Sequence, residues 1–216
     1  MLQRVNRSNP SQRDTDLWAP PRWALVSGVL GVVANVLLLA FYLLSQPWQP
    51  GDRPYGWVGT VNDVFVAAQY AALIPVAIGL RGAMQRHRLQ WVNWLGIAAM
   101  ALIVVLQVLL VGGLMRFNVE IFPVSAGIVV TFGWVAAVIR IGTREGALSG
   151  RLATVSTGLV VAFVAGLALV GLSLILPQKS VPGYAAFGIG GAFGLLAWLG
   201  FPFWLVWARN RFAQIA

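Results

Sequence analysis

The chain of 216 residues has no cysteine and one histidine, His87. Without thiols there is no disulfide, thiolate metal site, iron–sulfur cluster or cysteine nucleophile. A single histidine excludes paired-histidine haem ligation within the chain. Charge is also scarce, at 10% of residues, against about 25% in an average soluble domain. The one lysine, Lys179, falls in a loop, which leaves no Schiff-base lysine in an apolar run. Phosphate-binding loops, dinucleotide fingerprints and metal-ligand spacings are missing. Ala147-Leu148-Ser149-Gly150 has the outline of an intramembrane serine protease motif. No histidine lies in an apolar run to act as its base. No catalytic residue, metal site or cofactor is therefore expected.

What the chain has in abundance is apolar length. Hydrophobic residues make up 59% of it, more than a soluble core of this size can bury. A helix rises 1.5 Å per residue, so about 20 residues cross a hydrocarbon layer of roughly 30 Å. Six runs qualify, at 22–45, 58–80, 92–115, 121–141, 152–176 and 184–208. Residues 1–21 read as a polar N-terminal tail and 209–216 as a short C-terminal tail. The first run is too long for the core of a cleavable signal peptide. The fold class expected is an all-α membrane protein, a bundle of six transmembrane helices.

Basic residues fix the expected orientation. Arg4, Arg7, Arg13, Arg22, Arg81, Arg86, Arg88, Arg140, Arg144, Arg151, Arg209 and Arg211 fall on one side of the alternating map, and Arg53, Arg116 and Lys179 on the other. Twelve against three is the asymmetry that keeps cationic loops in the cytoplasm, so both termini are expected there. Trp18, Trp23, Trp91, Trp94, Trp204 and Trp207 map to that interface, and Trp48 and Trp57 to the outer one. The net charge of +9 is spread over loop ends, with no polar domain to present it as one face, so nucleic acid is not an expected partner.

Ionisable groups within spans are the default functional candidates. Asp63 lies inside the second span and Glu120 at the start of the fourth. With Gln69, Gln107 and Arg116 they form an expected polar vestibule open to the outer side. A structural reading competes. Thr60-Val61-Asn62-Asp63 has the form of a capping box, Asn118 is placed to cap the fourth span, and an acid in a first turn meets the positive end of the helix dipole. Arg116 is spaced to pair with Glu120. Asn35 and Gln107 read as interhelical hydrogen-bonding amides. Ala186, Gly190 and Gly194 in the sixth span, and Ala162 and Gly166 in the fifth, are small residues at four-residue spacing, a pattern that lets helices approach closely. Pro75 and Pro202 interrupt backbone hydrogen bonding in their spans.

The stretch Arg144-Glu145-Gly146-Ala147-Leu148, then Arg151-Leu152-Ala153 and a glycine-rich fifth span, resembles small six-helix bacterial integral membrane proteins of uncharacterised function. The closing run Trp198-Leu199-Gly200-Phe201-Pro202-Phe203-Trp204-Leu205-Val206-Trp207 and the Asn62-Asp63 pair are similar to theirs. The resemblance implies a bacterial inner membrane and no particular activity. Three readings of function follow in order. The first is a non-enzymatic membrane protein that binds lipid or a membrane-protein partner. The second is a small-solute or ion transporter using the outer polar vestibule. The third is a lipid-processing membrane enzyme.

Overall fold

The computed structural model describes residues 19–45, 55–177 and 180–216, and every element in them is a helix. The helices are α1 (Pro20–Ser45), α2 (Gly56–Gly79), α3 (Arg81–Arg86), α4 (Gln90–Val111), α5 (Phe117–Arg144), α6 (Gly150–Ile175) and α7 (Val181–Ile215). Six of them, all but α3, are long and apolar enough to cross a membrane. Residues 1–18, 46–54, 178 and 179 lie outside the described residues, and with them the expected positions of Arg4, Arg7, Arg13, Trp18, Trp48, Arg53 and Lys179.

Local chemistry sets the helix ends. Pro20 and Pro21 occupy the first turn of α1, where a missing N–H costs nothing and the fixed φ suits a helix. The Ser180 hydroxyl accepts the Gly183 N–H at 3.2 Å and caps α7. The end of α4 is a Schellman turn. Gly113 takes φ +70, its N–H reaches the Leu110 carbonyl at 3.0 Å, and the Leu114 N–H reaches that of Leu109 at 2.9 Å. A side chain is strained at that φ, so glycine is needed there. The turn reverses the chain within five residues, and the last turn of α4 and the first of α5 face each other.

The six long helices form a ring in chain order, each antiparallel to the next, with α7 closing against α1 and the seam between α5 and α6 the loosest. Close approaches show the antiparallel pairing. A Cβ on Gly79, at the end of α2, would meet Pro20 at the start of α1, and one on Gly59 would meet Phe41. Aromatic side chains fill the middle. Phe163 stacks on Phe132 at 3.9 Å between centroids, Phe132 meets Phe201 at 5.4 Å, Phe201 meets Trp204 at 6.1 Å, and Trp204 meets Phe212 at 5.8 Å.

Two boundaries differ from the sequence expectation. The 81–91 loop contains the helix α3. Residues 209–216 are not a separate tail, because α7 runs on to Ile215. Ala208, Phe212 and Ile215 continue its buried face, and the Arg86 guanidinium donates to the Ile215 carbonyl at 3.0 Å.

Candidate functional site

Because of the tight α4–α5 turn, Gln107 and Glu120 sit at one level near the end of the bundle that carries few arginines. Gln107 Nε2 donates to Glu120 Oε1 at 3.0 Å, and the two residues are 6% and 2% exposed. The other polar atom of the amide, Gln107 Oε1, is buried with no hydrogen-bond partner. Glu120 stands in the first turn of α5, so the helix dipole favours an acid there. The N-cap is Arg116, in an extended conformation, and not Asn118. Arg116 is exposed and leaves Glu120 to Gln107.

Asp63 approaches from α2. The helix starts at Gly56 behind Tyr55, with no acid in its first turn. Asp63 is therefore about 10 Å into the helix and Thr60 does not cap it, so the capping-box reading is corrected. Asp63 continues the stripe Val66, Tyr70, Leu73 and Ala77, all buried, at the alternating three- and four-residue spacing of a core-facing helix side. It is half-buried, accepts from Asn62 Nδ2 at 3.3 Å, and lies close enough to Glu120 for their charges to act on each other.

The expected vestibule thus divides. Gln107 and Glu120 come together, Asp63 stands within electrostatic range of Glu120, Arg116 points out, and Gln69 belongs elsewhere. Six residues along a helix turn the side chain well away from Asp63. The Gln69 backbone carbonyl accepts the Ser27 hydroxyl at 3.0 Å, and its amide packs over Gly31, where a Cβ would come within 2.6 Å of it.

Several other polar groups in the bundle serve backbone carbonyls. Asn35 donates to the Leu199 carbonyl at 3.2 Å and so ties α1 to α7 just before Pro202. Asn93 donates to the Ala77 carbonyl at 3.1 Å and accepts from Trp134 Nε1 at 2.8 Å, which satisfies an end of α2 that has run out of helical donors. Trp204 Nε1 donates to Ser156 Oγ at 2.7 Å, and that hydroxyl donates to the Leu152 carbonyl. Trp204 is therefore buried within the bundle, whereas Trp57, Trp91, Trp94 and Trp207 are exposed.

The small residues of α6 and α7 meet directly. A Cβ on Gly166 would come within 2.8 Å of Gly194 N and 2.9 Å of the Gly190 carbonyl, and one on Gly190 within 2.8 Å of Val170 N. Ala162 and Ala186 are buried. Gly194 offers its backbone and has open space beside its own Cα. A second small-residue face escaped the sequence reading: Ala24, Ser27, Gly28, Gly31, Ala34 and Asn35 are the buried side of α1. Their spacing along one helical face was the available signal.

The other end of the bundle gathers arginine. His87 Nε2 and Glu145 Oε1 are 3.0 Å apart, with Arg86 3.8 Å from the same carboxylate. The Arg81 guanidinium lies 5.2 Å over the Trp94 ring, beside a pocket of about 290 Å³ shared with Gln85, Gln90 and Trp91. Between α1 and α7 a lateral groove of about 650 Å³ runs along Val29, Val32, Val33, Val206 and Trp207 to Arg209 and Asn210. Between α5 and α6 another, of about 360 Å³, reaches Arg140 and Arg144. Among the described residues no three His, Cys, Asp or Glu side chains assemble as a metal would need. Comparison with protein-family models, curated proteins and solved structures finds no match.

Proposed function

We propose that this is a non-enzymatic, multi-pass protein of a bacterial cell membrane, with both termini in the cytoplasm, that binds anionic phospholipid in its lateral grooves as a lipid-binding or accessory component. The observation that carries the reading is the groove between α1 and α7. Its valine and tryptophan wall suits an acyl chain, and it ends at Arg209 and Asn210. Arg209 makes one long intrahelical bond, to the Val206 carbonyl at 3.4 Å, and its remaining donors are available to a headgroup phosphate. The groove between α5 and α6 repeats the plan with Arg140 and Arg144. The orientation follows from twelve of the fifteen basic residues falling on one side of the alternating sequence map, the side where anionic lipid of the inner leaflet contributes about 1 kcal/mol per cation. Against the transport alternative stands the filling of the ring by Tyr70, Phe132, Phe201 and Trp204, each no more than 2% exposed.

Native mass spectrometry of protein extracted from membranes tests the lipid reading. Wild type is expected to retain anionic over zwitterionic phospholipid, and the Arg209→Ala, Asn210→Ala double variant to lose most of that preference. Equal retention of both lipid classes by wild type would overturn it. A tag on either terminus that protease removes from outside intact cells would overturn the orientation.

A further inference from the structure

The hydrogen bonding between Gln107 and Glu120 does not balance if the carboxyl is ionised. The residue is 2% exposed and receives one donor, Gln107 Nε2. The charged groups that face it are few. From α2 comes Asp63, another acid. On its own helix Arg116 is exposed. Helix α4 contains no charged residue, and Arg151, Arg209 and Arg211 of α6 and α7 stand at the opposite end of the bundle. Among the described residues a buried carboxylate would thus lack a side-chain cation, with only the N-terminal dipole of α5 to offset its charge. The partner has a deficit of its own, since Gln107 Oε1 is buried without a donor. Both deficits are expensive where water cannot relieve them, and both fall on one pair of side chains.

We infer that Glu120 binds a proton and forms a carboxylic acid–amide pair with Gln107. The Gln107 N–H donates to one carboxyl oxygen. The other carboxyl oxygen carries the proton and donates it to Gln107 Oε1. One proton removes both deficits, and each group then offers one donor and one acceptor to the other. A sodium ion fits this arrangement poorly, because the amide presents its NH₂ to the carboxyl, and the hydrogens of that group repel a cation. Asp63, half-buried, keeps its own hydrogen bond from Asn62 and is not the proton's seat. The site belongs to the end of the bundle away from the lipid grooves, and it stands or falls independently of them.

Infrared difference spectroscopy of the full chain in lipid nanodiscs at neutral pH, in H₂O and D₂O, reads the proton directly. Wild type is expected to show the C=O stretch of a protonated carboxyl, shifted on deuteration. Glu120→Gln is expected to lose that band and keep the melting temperature of wild type, because the glutamine N–H replaces the acid O–H in the pair. Asp63→Asn is expected to retain the band. The inference is overturned if wild type shows no such band, or if the band survives Glu120→Gln. It is also overturned if sodium raises the melting temperature of wild type and not of Glu120→Gln, which would make the occupant a metal cation.

Discussion

Helix α6 is held differently on its two sides. Toward α7 it lies backbone against backbone, because Gly166 and Gly190 leave no side chain between them. Toward α5 one aromatic stack, Phe163 on Phe132, bridges a seam that elsewhere opens into a groove. Both faces are apolar, so hydrophobicity does not separate them. In a bilayer, lipid tails are as apolar as leucine, and close packing with interhelical hydrogen bonds decides which helices adhere. The absence of a side chain is what makes the α6–α7 contact tight.

The strongest way to break this contrast is Gly166→Val. Its side chain would press on the Gly194 nitrogen and Gly190 carbonyl, which cannot rotate away. A loss at or above the upper end of the roughly 1–3 kcal/mol typical of overpacking is expected, read as a lower melting temperature in detergent. Next is Asn93→Leu, which strands the Trp134 N–H and the Ala77 carbonyl on the far side of the ring. Each unpaired buried group costs about 1–3 kcal/mol, so chemical denaturation should show a loss of at least about 2 kcal/mol for the two together. Phe163→Ala removes the stack across the loose seam. Phe163 is half-buried, so the expected loss is about 1–2 kcal/mol, below the 3–5 of a fully buried phenylalanine. It should also increase the accessibility of a cysteine placed at Val160 to a thiol reagent. Glu145→Gln disturbs only the partly exposed contacts with His87 and Arg86 and should cost about 0–1 kcal/mol. Gly194→Ala fills open space and should fall within about 0.5 kcal/mol of wild type. A large effect there would mean that the whole stripe matters and not the Gly166–Gly190 contact.

The six apolar runs were legible because each follows from one cost, that of placing backbone and charge in hydrocarbon. The ends were harder to read. Hydropathy falls at Arg209, yet α7 continues, because helix formation stops with the hydrogen-bond ladder and not with the lipid. The buried spacing of Ala208, Phe212 and Ile215 was the available signal. Thr60 misled because a capping pattern can occur within a helix that began a turn earlier. The separation of Gln69 from Asp63 could have been read from the helical angle between them. The expected vestibule already groups Gln107 with Glu120, but their direct hydrogen bond was not legible, since it depends on the left-handed glycine that folds the α4–α5 turn. The small-residue side of α1 was overlooked because serine, glycine, alanine and asparagine share its positions, so no single residue type repeats.

The glycine contact between α6 and α7 has a mechanical consequence. The two helices act as a single plank. If the interior opens, the seam between α5 and α6, bridged by the two phenylalanine rings, is the weakest junction to part. Spin labels spanning α5 and α6 would record that excursion as a widened distance distribution, while a pair bridging α6 and α7 would stay sharp.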